Sequence, residues 1–443
     1  MVEVLPFRGI RYNPENINDM DKVITPPFDV INPQAQSDFY DRHSNNMIRL
    51  VLGKRFRTDS ETNNQHTRAA GYLNRWLTEH VLMRDNTPAF YLTSVEFTVE
   101  GKSLTRYGVI ARVRLEPFEK KIILPHEKTF SKVKSERLDL TKACRTNFSP
   151  IFSLFPGRVD ILENLQAEVC NQTAESDLID PEGYRHKMWR LTDTQTHTDV
   201  CNALKEKKLF IADGHHRYET ALNYKKWLSD HSGGLDKEHP ANYVMMYLCS
   251  MDDPGLVILP AHRMFKGLTN DQLGAFLPCA RNHFDIDIIP FQDDTRQSAL
   301  SELSKALLAS HHENTIGVFI KNTSEYYLLK PKPGTMAERF GGELPEALID
   351  LDVTVLTNLI LMKILGFDQD RLDNEKLVGY ASRAELAIDH VAAGNYDITF
   401  ILNPTRIEQV RRVSEAGLIM PRKATYFFPK VLSGLVINPL SEG

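Results

Sequence analysis

One stretch near the middle of the chain constrains the fold more than any other. An apolar run at residues 209–212 is followed by Asp213 and Gly214 and then at once by helix-forming residues. This pattern predicts a strand, a tight turn and the start of a helix. Gly214 permits a positive φ, and the first turn of a helix has unpaired N–H groups and a partial positive charge. The stretch therefore predicts an anion-binding site.

Three hydrogen-bond donors follow the turn: His215, His216 and Arg217. Arginine favours forked contacts to phosphate, and histidine bonds to phosphate or carries a proton. A purely structural interpretation stays open, with Asp213 as a helix N-cap and a solvated first turn after it. Metal ligation by the His pair is disfavoured, because adjacent helical residues point about 100° apart and no HExxH or Cys/His spacing follows.

Length and composition limit the class of protein. A chain of 443 residues is too long for one simple core. The net charge of -5 argues against general nucleic-acid binding, which needs concentrated positive charge. Five scattered cysteines without a CxxC pair favour the cytoplasm over a disulfide framework. No signal-peptide pattern and no apolar run of about 18 residues occurs, so we expect no membrane association.

A second group of polar residues lies on a loop. Pro125 ends the apolar run at residues 122–124, so His126, Glu127 and Thr129 follow a predicted strand. A carboxylate next to an imidazole can transfer protons, and Glu can hold a divalent cation. A surface loop with incidental charges is the alternative interpretation.

Secondary candidates lie at turns and strand ends: Asp29, Thr129, Asn147, His262, Arg263, Lys423 and Lys430. Asp29 either forms an Asx-turn in a proline-rich segment or points into a cleft. His262 and Arg263 follow a predicted buried strand, and are a third group expected at the pocket. Lys423 and Lys430 lie among aromatic residues, either as anchors on a solvated edge or as cations that reach a phosphate.

Hydrophobic periodicity predicts an α/β protein with mixed sheets flanked by helices. A strand is predicted at residues 46–52, and strands at 243–249 and 256–259 are expected to share one sheet. We divide the chain into three regions: an N-terminal α+β region at 1–155, a central region at 156–268 that holds the 213–217 turn, and a C-terminal α/β region at 269–443.

Five segments resemble the bacterial and archaeal family catalogued as domain of unknown function 1015, and together they span nearly the whole chain: residues 26–31, 125–129, 147–152, 212–218 and 420–430. By these matches the chain is identified as a member of that family. Phe28 stands where the family often has Tyr. Ala424 stands where it often has Ser, so Ala424 is left out of the candidate site.

The 213–217 turn is also similar to the phosphate-binding motif of the ParB and sulfiredoxin superfamily, whose members bind CTP or ATP at a helix start. It is closest to the version in the free-serine kinases, which phosphorylate the hydroxyl of L-serine with ADP or ATP. The resemblance implies a ParB/sulfiredoxin-like nucleotide-binding core and a C-terminal α/β subdomain. It implies ATP or ADP with Mg²⁺, with the phosphates on Gly214, His215, His216 and Arg217.

Three functions remain as alternatives. The first is a nucleotide-dependent kinase that phosphorylates the hydroxyl of a small polar molecule, with free serine as the leading candidate. In that function Glu127 or Asp213 is the base or the Mg²⁺ ligand, and His126 orients the substrate. The second is a non-catalytic nucleotide-binding sensor or gate, and the third is a metal-dependent phosphoester hydrolase. The expected partners are a nucleotide and a small substrate, and a homodimer is left open.

Overall fold

The computed structural model describes residues 1–129, 131–374 and 376–441. The chain forms two compact units. The first unit comprises Met1–Val257 and Pro429–Gly443, and the second comprises Ile258–Phe428. The C-terminal segment therefore belongs to the same unit as the 213–217 turn.

The first unit contains both strands and helices. Its strands up to residue 257 are β1 (Val4–Leu5), β2 (Ile10–Tyr12), β3 (Leu82–Arg84), β4 (Phe90–Val99), β5 (Lys102–Arg114), β6 (Ile123–Leu124), β7 (Thr146–Asn147), β8 (Ile151–Phe155), β9 (Ser176–Ile179), β10 (Arg185–Leu191), β11 (Leu209–Asp213) and β12 (Tyr243–Ser250). Its α-helices are α1 (Pro33–Arg42), α2 (Ile48–Val51), α3 (Gln65–Thr78), α4 (Ser131–Cys144), α5 (Asp160–Val169), α6 (Thr194–Leu204) and α7 (His215–Ser232).

Within the described part of the first unit, nine strands form a mixed sheet. The order is β6-β11-β8-β12-β5-β4-β10-β9, and β1 pairs with β5. The β11–β6 and β12–β8 pairs are parallel, and the remaining pairs are antiparallel. The β4–β5 hairpin turns at Glu100 and Gly101, both at positive φ, as a two-residue hairpin loop requires.

Hydrophobic clusters stabilise the first unit. One joins the sheet to apolar side chains of α5, α6 and α7. Another includes side chains of α2, α3 and α4, and there Ala69, Leu73 and Trp76 form the buried face of α3. Strands from both sides of the region boundary drawn at residue 155 belong to this one sheet. In it β6 and β11 are neighbours, so the loop after β6 and the turn after β11 follow adjacent strands.

The second unit has its own sheet. Its segment of the chain contributes β13 (Val257–Leu259), β14 (His262–Phe265), β15 (Phe284–Pro290), β16 (Ile316–Ile320), β17 (Glu325–Pro331), β18 (Val378–Ala381), β19 (Ile398–Ile401) and β20 (Tyr426–Phe428). Its helices are α8 (Asn270–Ala280), α9 (Arg296–Ala309), α10 (Thr335–Phe340), α11 (Glu346–Ile349), α12 (Asp352–Thr354), α13 (Gln369–Asp373), α14 (Ala384–Ala392), α15 (Ile407–Glu415) and the π-helix Val355–Ile364. The antiparallel sheet has the order β15-β17-β16-β19-β14-β18.

The predicted α/β class, with mixed sheets flanked by helices, is confirmed. The strand predicted at residues 46–52 is wrong, because α2 occupies that position. Its apolar residues are buried all round, and a continuous apolar run does not distinguish strand from helix. The side chain of Asn46 accepts the N–H of Ile48 at 2.9 Å, which favours the helical turn.

The prediction that the strands at residues 243–249 and 256–259 share one sheet is also wrong. β13 pairs with β20 in a two-stranded sheet rather than with β12. The last strand, β21 (Asn438–Pro439), pairs with β7 in the first unit. Among the described residues, no helix is both long enough and apolar enough to cross a bilayer.

Candidate functional site

The turn after β11 is the centre of the candidate site. Gly214 has φ 96° and ψ 27° and is the N-cap of α7, as the sequence predicted for a strand, turn and helix. No side chain of the described residues caps this helix start. The first N–H groups of α7 are therefore available to an anion, in the favourable field of the helix N-terminus.

Asp213 organises the positive charges around this turn. One carboxylate oxygen bonds to Lys430 and the other to Arg217. Arg217 also donates to the carbonyl oxygen of Pro150. Burial alone would raise the pKa of Asp213, but the charges of Lys430 and Arg217 outweigh it and hold the pKa below its usual value. The carboxylate is thus ionised and fixes both cations.

Two buried imidazoles connect the loop after β6 to the start of α7. His126 is 1% exposed and His215 is 2% exposed, and their rings meet edge to face with centroids 4.7 Å apart. The backbone N–H of His126 donates to Nε2 of His215 at 3.2 Å. Burial lowers the pKa of His126 to about 4, and burial together with the neighbouring His126 lowers the pKa of His215 well below its usual value. Both rings are neutral at pH 7.

Both imidazoles are buried in this structure, so the phosphate role of His215 and the substrate role of His126 stay predictions. The backbone N–H of His215 keeps its position at the helix start. His216 follows on a half-buried part of the same turn.

Glu127 lies on the solvent side of this pair. Its Oε2 is 3.5 Å from Nδ1 of His215, and its side chain is 37% exposed. The next polar residue of the loop, Thr129, donates from its hydroxyl to Glu219 of α7 at 2.6 Å. Lys134 pairs with the other oxygen of Glu219 at 2.6 Å. The predicted loop and the predicted turn therefore meet in one place.

Two further candidates belong to the first unit. In the first unit, Asn147 accepts the N–H of Met245 at 3.2 Å and the side-chain amide of Asn438 at 3.0 Å, which ties strands together. Asp29 is exposed in the 3₁₀ helix Phe28–Val30.

Three candidates belong to the second unit. His262 is buried and its Nδ1 accepts the N–H of Leu402 at 3.1 Å. Buried Arg263 donates to the hydroxyl of Thr357 and to the carbonyl oxygen of Arg422. Lys423 is exposed on a turn at φ 56°. These hydrogen bonds of His262 and Arg263 lie within the second unit, and the prediction that the two residues serve the pocket stays a prediction.

The family of the chain follows from one comparison. A family model described as "Protein of unknown function (DUF1015)" matches residues 4–354. The chain belongs to the DUF1015 family. No curated protein matches it.

Solved structures resemble this DUF1015 chain at low identity. A conserved hypothetical protein from Pyrococcus furiosus is 14% identical, with 73% of this chain and 92% of that chain covered and a TM-score of 0.33. Free serine kinase in complex with AMP is 14% identical, with 73% and 91% covered and a TM-score of 0.32. SbnI with a C-terminal truncation, from Staphylococcus aureus, is 11% identical, with 75% and 87% covered and a TM-score of 0.32. These TM-scores are too low to transfer an activity.

The DUF1015 chain offers few ligands for a metal ion. Among the residues that the structure describes, no group of three or more His, Cys, Asp or Glu side chains could hold one. Both oxygens of Asp213 already bond to cations, so this carboxylate is poorly suited to the metal role predicted for it. Glu127 is an oxygen ligand of the kind that Mg²⁺ prefers, and Mg²⁺ is commonly held by one or two carboxylates together with substrate phosphates.

Sequence reasoning missed three parts of the site, one of which is Lys134, the partner of Glu219. Glu219 was not singled out, although its position four residues after His215 places both on one face of α7. The carbonyl oxygen of Pro150, which holds Arg217, left no signal in the sequence because the contact spans 67 residues. Local spacing could have identified only Glu219.

Gly214 gives a direct test of the turn. A Cβ at this position would lie 2.9 Å from both Cζ and Nε of Arg217, and the φ of 96° is strained for any other residue. We expect Gly214→Ala to lower the free energy of unfolding by about 2 kcal/mol. Gly71→Ala is the control, since that glycine lies inside α3 with open space around it and should gain about 0.5–1 kcal/mol. Urea unfolding measures the free energy of unfolding of both variants. A Gly214→Ala variant as stable as the wild type would show that residue 214 does not require glycine.

Proposed function

We propose that this chain is a nucleotide-dependent phosphotransferase that acts on the hydroxyl of a small polar molecule, with free serine as the leading candidate. The proposal depends on the start of α7 after Gly214, where no side chain of the described residues caps the backbone N–H groups. Lys430 and Arg217, which both bond to the carboxylate of Asp213, lie next to this helix start. The similarity of the 213–217 turn to the free-serine-kinase motif points to the same chemistry.

The charges at the turn favour a phosphate. Two cations share one carboxylate, which leaves a net positive charge next to the partial positive charge of the α7 N-terminus. Phosphoryl transfer depends mainly on holding phosphates in line and stabilising their charge. In this arrangement backbone N–H groups of α7, with His216 and Lys430, hold the phosphates of ATP or ADP.

Glu127 is the residue that we assign as base or Mg²⁺ ligand. The carboxylate side chain of Glu127 is 37% exposed, so a ligand can reach it. The neighbouring imidazole of His215 is neutral and is held by the backbone N–H of His126. Asp213 instead positions the two cations, because both of its oxygens are occupied. Bound Mg²⁺ would supply charge neutralisation on the phosphates. His126 and His215 position the loop that carries Glu127.

Calorimetry with ADP and ATP tests the phosphate site. We expect Lys430→Met to weaken nucleotide binding by about 10- to 100-fold, because a hydrogen bond to a charged group contributes about 1.5–3 kcal/mol. Lys226 is an exposed lysine on α7, and Lys226→Met should bind nucleotide like the wild type. Equal affinity in the two variants would remove Lys430 from the site.

Transfer itself requires a second experiment. The protein is mixed with labelled ATP or ADP, Mg²⁺ and a panel of amino acids, and we expect a phosphorylated hydroxyl product that Glu127→Gln reduces by at least 10²-fold. Tight nucleotide binding without any product would favour the sensor or gate. Absence of both binding and product would end the nucleotide proposal. A metal-dependent hydrolase has less support, because no three-ligand metal cluster occurs in the described part of the chain.

A further inference from the structure

A cavity in the first unit is not used by the proposed phosphotransfer. It encloses about 60 Å³, room for roughly four water molecules at about 15 Å³ each. Its walls come from Phe28, α4, α7 and the segment at residues 146–151. Arg217 lines the cavity and also bonds to Asp213, so the cavity adjoins the turn. A compound of a few heavy atoms fits it, and a nucleotide does not.

Two buried donors in the cavity wall lack a partner. The hydroxyl of Thr220 and Nε of Arg137 have no hydrogen-bond partner among the described residues. These residues are 3% and 7% exposed. A threonine inside a helix commonly bonds back to a carbonyl one turn earlier, and Thr220 does not. An unpaired buried donor is unfavourable, so a ligand that accepts hydrogen bonds would be stabilised here.

Two arginines in the cavity wall favour an anionic ligand that accepts hydrogen bonds, and each of them also pairs with a carboxylate outside the wall. Arg137 and Arg217 line the cavity, and no Asp or Glu of the described residues does so. The guanidinium of Arg137 donates to the carbonyl oxygen of Val51, pairs with Glu136 at 2.9 Å and lies 4.1 Å from the ring of Phe28. That arrangement fixes the direction of its Nε. Leu140, Phe148 and Ile151 complete an apolar side of the cavity, which suits a short carbon skeleton.

We propose that this cavity binds the carboxylate of a small organic acid, with Arg137 Nε and Thr220 Oγ1 as the donors. The role of this subsite in a reaction rests on the proposed phosphotransfer. If both are correct, the acceptor of the phosphoryl group carries a hydroxyl and a carboxylate. Arg217 lies between the carboxylate subsite and the phosphate turn. Its contact with both explains how the acceptor is oriented towards the phosphate.

Calorimetry on the full chain without nucleotide tests the subsite. We expect saturable binding of L-serine and L-lactate, and no binding of propane-1,2-diol, which has the skeleton of lactate without the carboxylate. Thr220→Val keeps the shape and removes the hydroxyl, and it should weaken L-lactate binding by tenfold or more. Arg137→Lys, which lacks Nε, should do the same. The exposed Thr198→Val is the matched control and should bind L-lactate like the wild type.

Three outcomes would overturn the subsite. In the first, the wild type and Thr220→Val bind L-lactate with equal affinity. In the second, the wild type binds propane-1,2-diol as tightly as L-lactate. In the third, inorganic phosphate binds more tightly than L-lactate, and Thr220→Val weakens that phosphate binding. The Thr220 hydroxyl has no partner to lose, so the melting temperature of Thr220→Val should stay close to the wild-type value and exclude misfolding. Because nucleotide is absent, a failed phosphotransfer assay leaves this result intact, and a failed L-lactate titration leaves the phosphotransferase proposal intact.

Discussion

Replacement of Asp213 by asparagine will lower the free energy of unfolding of the first unit by about 3–5 kcal/mol. The substitution leaves Lys430 and Arg217 next to each other without the carboxylate that both now contact. Removal of one member of a desolvated ion group costs far more than its Coulomb attraction suggests, because the remaining charges stay buried. The side chains of all three residues are only 12% exposed, so solvent screens them weakly.

Tryptophan fluorescence during urea unfolding measures this loss. The three tryptophans, Trp76, Trp189 and Trp227, all lie in the first unit, so the signal reports on that unit. Asp230→Asn is the matched control: Asp230 is exposed on α7, and its replacement should change the stability by less than about 0.5 kcal/mol. A loss below about 1 kcal/mol in Asp213→Asn would show that Asp213 does not hold the two cations.

The pH dependence of this interaction has a defined sign. The pKa of Asp213 is lower in the folded protein than in the unfolded chain, where it is about 3.9. The ionised carboxylate therefore stabilises the fold fully above about pH 4, and this contribution is lost only as the pH falls below that value. Neutral pH is the correct condition for the comparison with Asp213→Asn.

Acidification from pH 7 to pH 5 will destabilise the first unit by about 2 kcal/mol through His126 alone. Burial lowers the pKa of His126 to about 4, against about 6.5 in the unfolded chain. Between these values the unfolded chain binds a proton that the folded protein excludes. The contribution of neutral His126 to the free energy of unfolding is thus fully present above about pH 6.5 and is lost as the pH falls towards 4. His215 acts in the same direction.

Urea unfolding followed by tryptophan fluorescence at pH 5, 6, 7 and 8 gives this slope. We expect His126→Asn to reduce the slope between pH 5 and pH 7, because asparagine does not titrate. His231→Asn, at an exposed position near the end of α7, should retain the wild-type slope. The fluorescence signal excludes His262 of the second unit, where burial also lowers the pKa to about 4. A wild-type stability that is constant from pH 5 to pH 7 would contradict a buried neutral His126.

Local pattern was sufficient for β11, the turn and α7. The sequence signals for these elements come from contiguous residues: an apolar run, the Asp213-Gly214 pair and a helix-forming segment. Each signal therefore predicts the structure of the residues that carry it. The loop at His126 and Glu127 was likewise predicted from the proline that ends β6. The error at α2 has the opposite origin, since a segment buried on all sides has no periodicity to analyse.

Side-chain environment could not be predicted in the same way. The sequence placed His215 and His216 together at the anion site, yet His215 packs against His126 and is buried. Adjacent residues of a helix point about 100° apart, so only the position of the neighbouring strands decides which of the two faces the interior. The same limit applies to Asn147, whose amide ties strands rather than contacting the turn.

The sequence alone determined the mixed α/β class, the family, and the strand-turn-helix unit with its glycine at positive φ, because these depend on residues that are neighbours in the chain. Only the tertiary structure decided which charges meet at that unit. Lys430 reaches Asp213 across 217 residues, and Thr129 reaches Glu219 across 90. Such contacts follow from the packing of distant segments in one sheet and its flanking helices, and no local pattern records them.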